Sequence, residues 1–383
     1  MKFKNLYILF FFAILANACI TPFDPKGFEQ QENILVIEGD IITNQNSEFM
    51  ISRSIKLSAK PIRNFITGAT VWVEDNTGLK YMATQVNGTE IKYVAQTTNL
   101  NMSRQYKLCV ITPDKKRYET PLMRPLDTPE IENVNFDVDT VKKAVTFSVT
   151  TSSPNPELKF YKWTYQEDWE VHANTFATVE FDPLTKTIKD LDYYNNKFYC
   201  WGTSKSSEII LFNTSNLSQN RVYKRPLTRM DWLDRRISVL YSIEVFQKSI
   251  SAEAHMFWET LKKNTNETGD IFSPQPSELR GNIRNIANSS EIVLGYVSAS
   301  KMTKKRVFAT EREINLYKNL DVCEVVEEKV PDPKKWLGHY EMGYDVIQYF
   351  RETGESMWVF RNCADCRMYG TKKKPVFWPN DHI

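Results

Sequence analysis

Several catalytic signatures are missing from this chain of 383 residues. It has four histidines, His172, His255, His339 and His382, and none stands in an HxxxH or HExxH spacing. That removes the helical zinc-hydrolase pattern. There is no Gly-x-Ser-x-Gly elbow, no Ser-x-x-Lys with partner motifs and no phosphate loop, which removes the common serine-hydrolase and nucleotide-binding signatures. Asp231, Asp234, Asp332 and Asp345 are scattered without calcium-loop spacing. Glycine is scarce at 13 residues, and the net charge is only +2, so neither a strong polyanion-binding surface nor a nucleic-acid partner is expected. These absences lower the expectation of an enzyme and predict no metal or cofactor. They leave open a surface hydrolase whose two carboxylates meet only in space.

The one long apolar run lies at the N-terminus. Lys2 and Lys4 precede Leu6 to Leu15, and Ala16-Asn17-Ala18-Cys19 follows. The run is too short to span a bilayer as a mature helix. It reads as a secretory signal, residues 1–18, with Cys19 as the lipidated, palmitate-bearing first residue of the mature chain. Ala16 stands where such signals usually carry Leu. An ordinary Ala-x-Ala cleavage site and an uncleaved anchor are therefore the competing readings. Residues 19–32 contain Pro22, Pro25 and Gly27 and read as a tether.

Removing the signal leaves about 365 residues, enough for two or three domains. Aromatics are abundant at 13%, with 18 Tyr and 22 Phe, which suits β-sheet cores and contact surfaces alike. Of six cysteines, Cys19 is assigned to the lipid. Cys109, within the strand-like Tyr106–Ile111, reads as a buried free thiol. Cys200, Cys323, Cys363 and Cys366 form an even set, and in an oxidising compartment they suggest two disulfides with three possible connectivities. Cys363-Ala364-Asp365-Cys366 also has the spacing of half a zinc site or a redox pair.

Residues 33–121 read as short strands separated by turns, with Asn76-Thr77-Gly78 and Asn87-Gly88 as the clearest turn signals. That pattern predicts an N-terminal β-sandwich. Prolines 121, 125 and 129 mark a linker. Residues 130–310 read as a second β-sandwich, with its strongest strand at Val239–Phe246 and another buried strand at Ile292–Ala299. Trp169 to Asp192 reads as an irregular loop. A helix is expected near 251–264, with Ser251 as N-cap, Ile250, Ala254, Phe257 or Trp258 and Leu261 at helical spacing, and Lys262 and Lys263 at its end. Residues 311–383 read as an irregular, cysteine-containing tail.

Two stretches are contact candidates. Phe272 to Asn282 carries prolines that fix an extended backbone; it is either a contact loop or a rigid crossover covering a sheet edge. Tyr161, Trp163 and Tyr165, with Trp169, Tyr193 and Tyr194, are either core or an exposed aromatic surface for sugars or a protein. His255 is expected to be a partly exposed helix residue. Asp139-Thr140-Val141 is either a plain turn or an O-glycosylation acceptor.

Taken in order, Ile34–Gly39, Gly68–Val71, Tyr241–Ile243, Ser251–Lys263, Gly269–Phe272, Gly281–Ile283, Gly295-Tyr296, Ser298–Ser300, Cys363–Arg367 and Lys374–Trp378 resemble the DUF4249 lipoproteins of Bacteroidetes. The Gly68–Val71 stretch also resembles, at fold level, the transthyretin-like modules at the front of TonB-dependent receptors. The resemblance implies a fold of two immunoglobulin- or transthyretin-like β-sandwiches. It also implies an outer-membrane lipoprotein, exposed at the cell surface, acting as a non-catalytic accessory or ligand-presenting subunit of a TonB-dependent receptor. A structural or assembly subunit of a larger outer-membrane complex is the alternative.

Overall fold

The computed structural model describes residues 33–55, 63–192, 195–266 and 279–380. The 1–18 signal, Cys19, the 19–32 tether, Tyr193, Tyr194, the 272–278 part of the proline-containing loop and His382 lie outside the described residues. The chain is mainly β.

The first group of strands is β1 (Leu35–Gly39), β2 (Ile41–Ile42), β3 (Ser47–Arg53), β4 (Asn64–Phe65), β5 (Thr70–Asp75), β6 (Lys80–Val86), β7 (Lys92–Ala95), β8 (Tyr106–Ile111) and β9 (Arg117–Glu119). Alternation sets their faces. Val71 and Val73 of β5 point into a core with Leu35, Ile37, Phe49, Tyr93 and Tyr106. Trp72 points the other way and lies under the Lys80 and Arg117 cations. Asp75 ends β5, its carboxylate accepting from the Thr77 and Leu79 backbone N–H groups at 2.9 and 3.0 Å. Burial opposes that charge, but the Thr77 and Arg104 donors outweigh it and hold the carboxyl down to about 2. Cys109 is a buried free thiol, as its setting in β8 predicts, and burial pushes it up to about 12.

The second group comprises β10 (Ile131–Asp139), β11 (Ala144–Ser152), β12 (Phe160–His172), β13 (Val179–Asp182), β14 (Thr187–Asp190), β15 (Tyr199–Lys205), β16 (Ile210–Asn213), β17 (Arg221–Asp231) and β18 (Leu240–Ser249). One sheet runs β10-β11-β17. In the other, β12 pairs with β15, β16 and β18. Phe147 and Val149 of β11, Tyr161 and Trp163 of β12, and Tyr241, Ile243 and Val245 of β18 meet in one core. Its large polar side chains find partners, as burial requires. Trp163 Nε1 donates to Gln247 (2.8 Å), and Gln247 donates to the Pro129 carbonyl (2.8 Å). The linker is thus tied into the body that follows it.

Helix α1 (Ala252–Asn266) follows, as expected, and then β19 (Arg284–Asn285), β20 (Val293–Leu294) and β21 (Ala299–Ser300). Here the 130–310 unit is corrected. β19 pairs with β9, β20 pairs in parallel with β1, and β21 pairs in parallel with β2. Ile283, Val293, Val297 and Ala299 lie in the N-terminal core. An apolar run reads the same whichever sheet buries it, so its sequence could not assign the partner. The resulting sheet order is β19-β9-β8-β5-β6-β7-β3-β1-β20, with both ends supplied by one returning segment. Gly281 and Gly295 permit it. A Cβ at Gly281 would lie 1.6 Å from the Gly295 carbonyl oxygen, and one at Gly295 (φ +116°) would lie 1.9 Å from that of Ile37.

β22 (Met302–Thr310) then returns to pair with β18. The tail is not irregular. It contains α2 (Glu311–Ile314), β23 (Val326–Glu328), α3 (Pro333–Glu341), β24 (Tyr344–Tyr349), β25 (Ser356–Phe360) and α4 (Arg361–Ala364). A register shift between Val346 and Gln348 hides the alternation of β24. Trp169 to Asp192 is also corrected. β12 continues to His172 with Trp169 packed on Gly202, and β13 and β14 form a hairpin. Val179 and Phe181 of that hairpin share a core with Trp336, Val346 and Trp358. Of the three connectivities, the pairs are Cys200–Cys366 and Cys323–Cys363.

Gly295→Ala is expected to cost more than about 3 kcal/mol, because the new Cβ meets backbone at a positive φ. Chemical unfolding would measure this, and a loss below about 1 kcal/mol would contradict it. Opening Cys200–Cys366, which closes a long loop, is expected to cost about 2–5 kcal/mol. Unfolding of a Cys200→Ser/Cys366→Ser double variant against the parent checks this, an unchanged midpoint being the contrary result.

Candidate functional site

The histidines and carboxylates of interest are already engaged. His172 lies 2.7 Å from Glu170, and His339 lies 3.0 Å from Glu328. Glu167 accepts both a two-bond contact from Arg236 (2.8 and 2.9 Å) and the Tyr241 hydroxyl (2.6 Å). Asp168 pairs with Arg306 at 3.1 Å, and Glu170 accepts the Trp378 indole N–H at 2.6 Å. Asp345 holds Lys197 and Arg361, while Asp234 and Asp332 cap helical turns. Among the described residues no three His, Cys, Asp or Glu side chains group as metal ligands. Tyr161, Trp163 and Tyr165 are core, so the exposed aromatic surface is not formed by them. Asp139-Thr140-Val141 is a turn whose Asp139 carboxylate accepts from the Val141 and Lys142 N–H groups.

What the structure gathers instead lies along α1. Ser251 caps it, its hydroxyl accepting from Ala254 N–H (3.2 Å). Ala254 is buried with Leu211 and Ile250, and Trp258 packs on them together with Phe160 and Tyr296. His255, Met256, Glu259, Lys262 and Lys263 fall on an adjoining flank and form one wall of a groove of about 630 Å³. Phe160, Leu211, Phe212, Asn213 and Arg225, from β12, β16 and β17, form the other wall. His255 is buried rather than partly exposed, because its ring packs 5.0 Å from that of Phe160. Burial holds its pKa below the usual value against the pull of Glu259, whose carboxylate lies 3.9 Å away. Arg225 lies over the Phe212 ring at 5.8 Å, and its buried Nε has no hydrogen-bond partner. Met256 is 59% exposed. In the sequence Lys262 and Lys263 read only as a helix-end preference. Nothing in the sequence announced Arg225, which a distant strand delivers.

The opposite flank of α1 covers a charged junction. Lys162 of β12 lies with its ammonium 3.0 Å from the Trp258 ring centroid. Its neighbour across the ladder, Lys248, pairs with Asp40, which follows β1 and also accepts Ser298 N–H at 2.8 Å. Burial, then repulsion by Lys248, push the Lys162 pKa down to about 7 against the pull of Asp40. Asp40 itself is held below the carboxylate range, the Lys248 and Lys162 charges outweighing its burial.

A mainly β chain, cross-linked by two disulfides and carrying one helix wedged between its sheets, is thus the class of protein described. The family model described as a domain of unknown function (DUF4249) matches residues 20–306, and the chain belongs to that family. No curated protein matches it. The matched residues include α1, both groove walls and the returning segment 279–300. The resembling stretches Cys363–Arg367 and Lys374–Trp378 lie beyond them. No helix among the described residues is long and apolar enough to cross a membrane.

The lowered pKa of Lys162 has a definite sign. Between pH 7 and 10.5 the unfolded chain holds a proton there that the folded chain lacks. Stability from this group therefore rises with pH across that window and is lowest below it. Lys162→Met is expected to stabilise more at pH 6 than at pH 9.5. Urea unfolding at both values checks this, and an equal change at the two would contradict it.

Proposed function

We propose that the protein is an outer-membrane lipoprotein, anchored through a lipid on Cys19 and exposed at the cell surface. In this reading it serves as a non-catalytic accessory, or ligand-presenting subunit, of a TonB-dependent receptor. Its two β bodies are of the immunoglobulin or transthyretin kind. The observation that carries the reading is the order of parts. A signal-like run ends at Cys19, the family match begins at residue 20, and the body that follows is joined by two disulfides. Disulfides persist in oxidising compartments, which agrees with export. Engagement of the buried carboxylates by cations, hydroxyls and indoles supports a binding role over a hydrolytic one. The groove along α1 supplies a surface for such a role.

Cys19→Ala is expected to abolish incorporation of labelled palmitate and to release the chain from the membrane fraction. Retention with label would overturn the anchor. Affinity capture of the wild-type chain from detergent-solubilised membranes is expected to bring down an outer-membrane receptor. Recovery of the chain alone would overturn the partnership.

A further inference from the structure

We infer that the groove between α1 and the β16–β17 wall is a docking site for an extended acidic segment of a protein partner, its carboxylates seated on Arg225, Lys262 and Lys263. The inference deepens the partner reading above and rests on it for the kind of occupant.

Charge complementarity is the main argument. Among the described residues Arg225, Lys262 and Lys263 form no salt bridge, although all three line one groove. Other half-buried cations are matched: Arg236 has Glu167 and Asp234, Arg306 has Asp168 and Glu244, and Lys107 has Glu74 and Glu119, whereas half-buried Arg225 and Lys262 have no carboxylate and exposed Lys263 extends the same positive edge. The Arg225 Nε is a buried donor without an acceptor. Such a group is costly to leave unmet, and a carboxylate meets a guanidinium fork with two bonds. The Nε itself is closed to solvent, so a carboxylate in the groove reaches it only if the Arg225 side chain turns outward.

The shape argues for a chain segment over a small ion. The cations stand on both walls, and exposed Met256 and half-buried Phe212 lie among the lining residues. An occupant that alternates acidic and apolar side chains matches this layout, and Met adapts to irregular partners. Glu259 also lines the groove. It disfavours a compact phosphate dianion, whereas a peptide can offer it a backbone N–H. Among the named strands β16 pairs only with β12, so one wall is an edge against which an extended segment can lie.

The test uses the full chain in detergent and a fluorescein-labelled peptide of alternating Glu and Leu, read by anisotropy. A Lys/Leu peptide is the charge control. The Glu/Leu peptide is expected to bind, and to bind more weakly as salt rises. Arg225→Glu and the double change Lys262→Glu/Lys263→Glu are each expected to weaken binding at least tenfold. Lys334→Glu, on α3, is expected to leave it unchanged. Arg225→Gln, a milder change, is expected to weaken binding with the melting temperature preserved. Inorganic phosphate and phosphatidylglycerol mixed micelles are the competitors. No binding of the Glu/Leu peptide, equal affinity in the groove variants, or Arg225-dependent displacement by the lipid micelles would overturn the inference. Because the peptide assay does not require the anchor, loss of membrane retention alone bears only on the Cys19 reading.

Discussion

Both ends of the N-terminal sheet are closed by a single later segment, which brings Arg284 to Glu119 and Val293 to Leu35. β9 and β1 would otherwise present unpaired backbone groups, the arrangement that invites edge-to-edge association. β19 covers the first and β20 the second. Asn282 fixes the approach, its side chain donating to the Val297 carbonyl (2.7 Å) and accepting from Val297 N–H (3.0 Å). Glu291 adds a contact to the Tyr118 hydroxyl at 2.9 Å. The N-terminal body therefore cannot complete its sheet until everything through Leu294 is present. The pairing of residue 35 with residue 293 also carries the entropy of a long loop, which slows such contacts and makes them depend on the intervening body being folded.

That closure fixes where α1 sits. The helix lies between β18 of the second body and the segment returning to the first. It is held by Trp258 against Lys162 on one flank and by Ala254 against Leu211 and Ile250 in its core-facing stripe. Asp40 joins the same junction from the first body, receiving Lys248 from the second and Ser298 N–H from the returning segment. A buried charge needs its partner in place, so Asp40 selects one relative placement of these pieces. The linker reinforces it, with Thr128 accepting Ser249 N–H at 2.9 Å and Leu126 N–H donating to Ala299 at 3.0 Å.

Much of this was legible residue by residue, and the failures share a cause. Alternation at Val71 and Val73, the Asn76-Thr77-Gly78 turn and the Ser251 cap are local signals, and each predicts its own structure. The cysteine count predicted two bridges but not their pairing, which depends on bringing β15 to the 366 turn. Ile292–Ala299 was recognisably buried, yet its partner strand was not, because hydrophobicity carries no address. The tail reads as irregular in sequence because its strands are short and interrupted by a bulge. The groove was least visible of all. Lys262 and Lys263 look like an ordinary helix end, and Arg225 looks like a strand cation, until the fold sets them opposite each other.

The contrast between two charged faces explains why that groove stands out. On β12 and its neighbours, Asp168, Glu170, Glu244 and Arg306 occupy one face under the C-terminal strap. Phe377 stacks beneath Arg306 at 3.6 Å, and Trp378 donates to Glu170. The Arg306 guanidinium is met there by Asp168, Glu244 and the Ser242 hydroxyl at 2.9–3.1 Å. Desolvated charges persist when their hydrogen-bonding capacity is filled, and the strap face meets that condition from within the chain. The α1 groove does not: its guanidinium is partly desolvated by Phe212 and its Nε is unmet. The same physical rule that accounts for the closed face therefore leaves the open one with cationic hydrogen-bonding capacity that the chain itself does not fill. Arg225, near the Phe212 ring and across the groove from two further unpaired ammonium groups, is better matched to a carboxylate-bearing partner than to water alone.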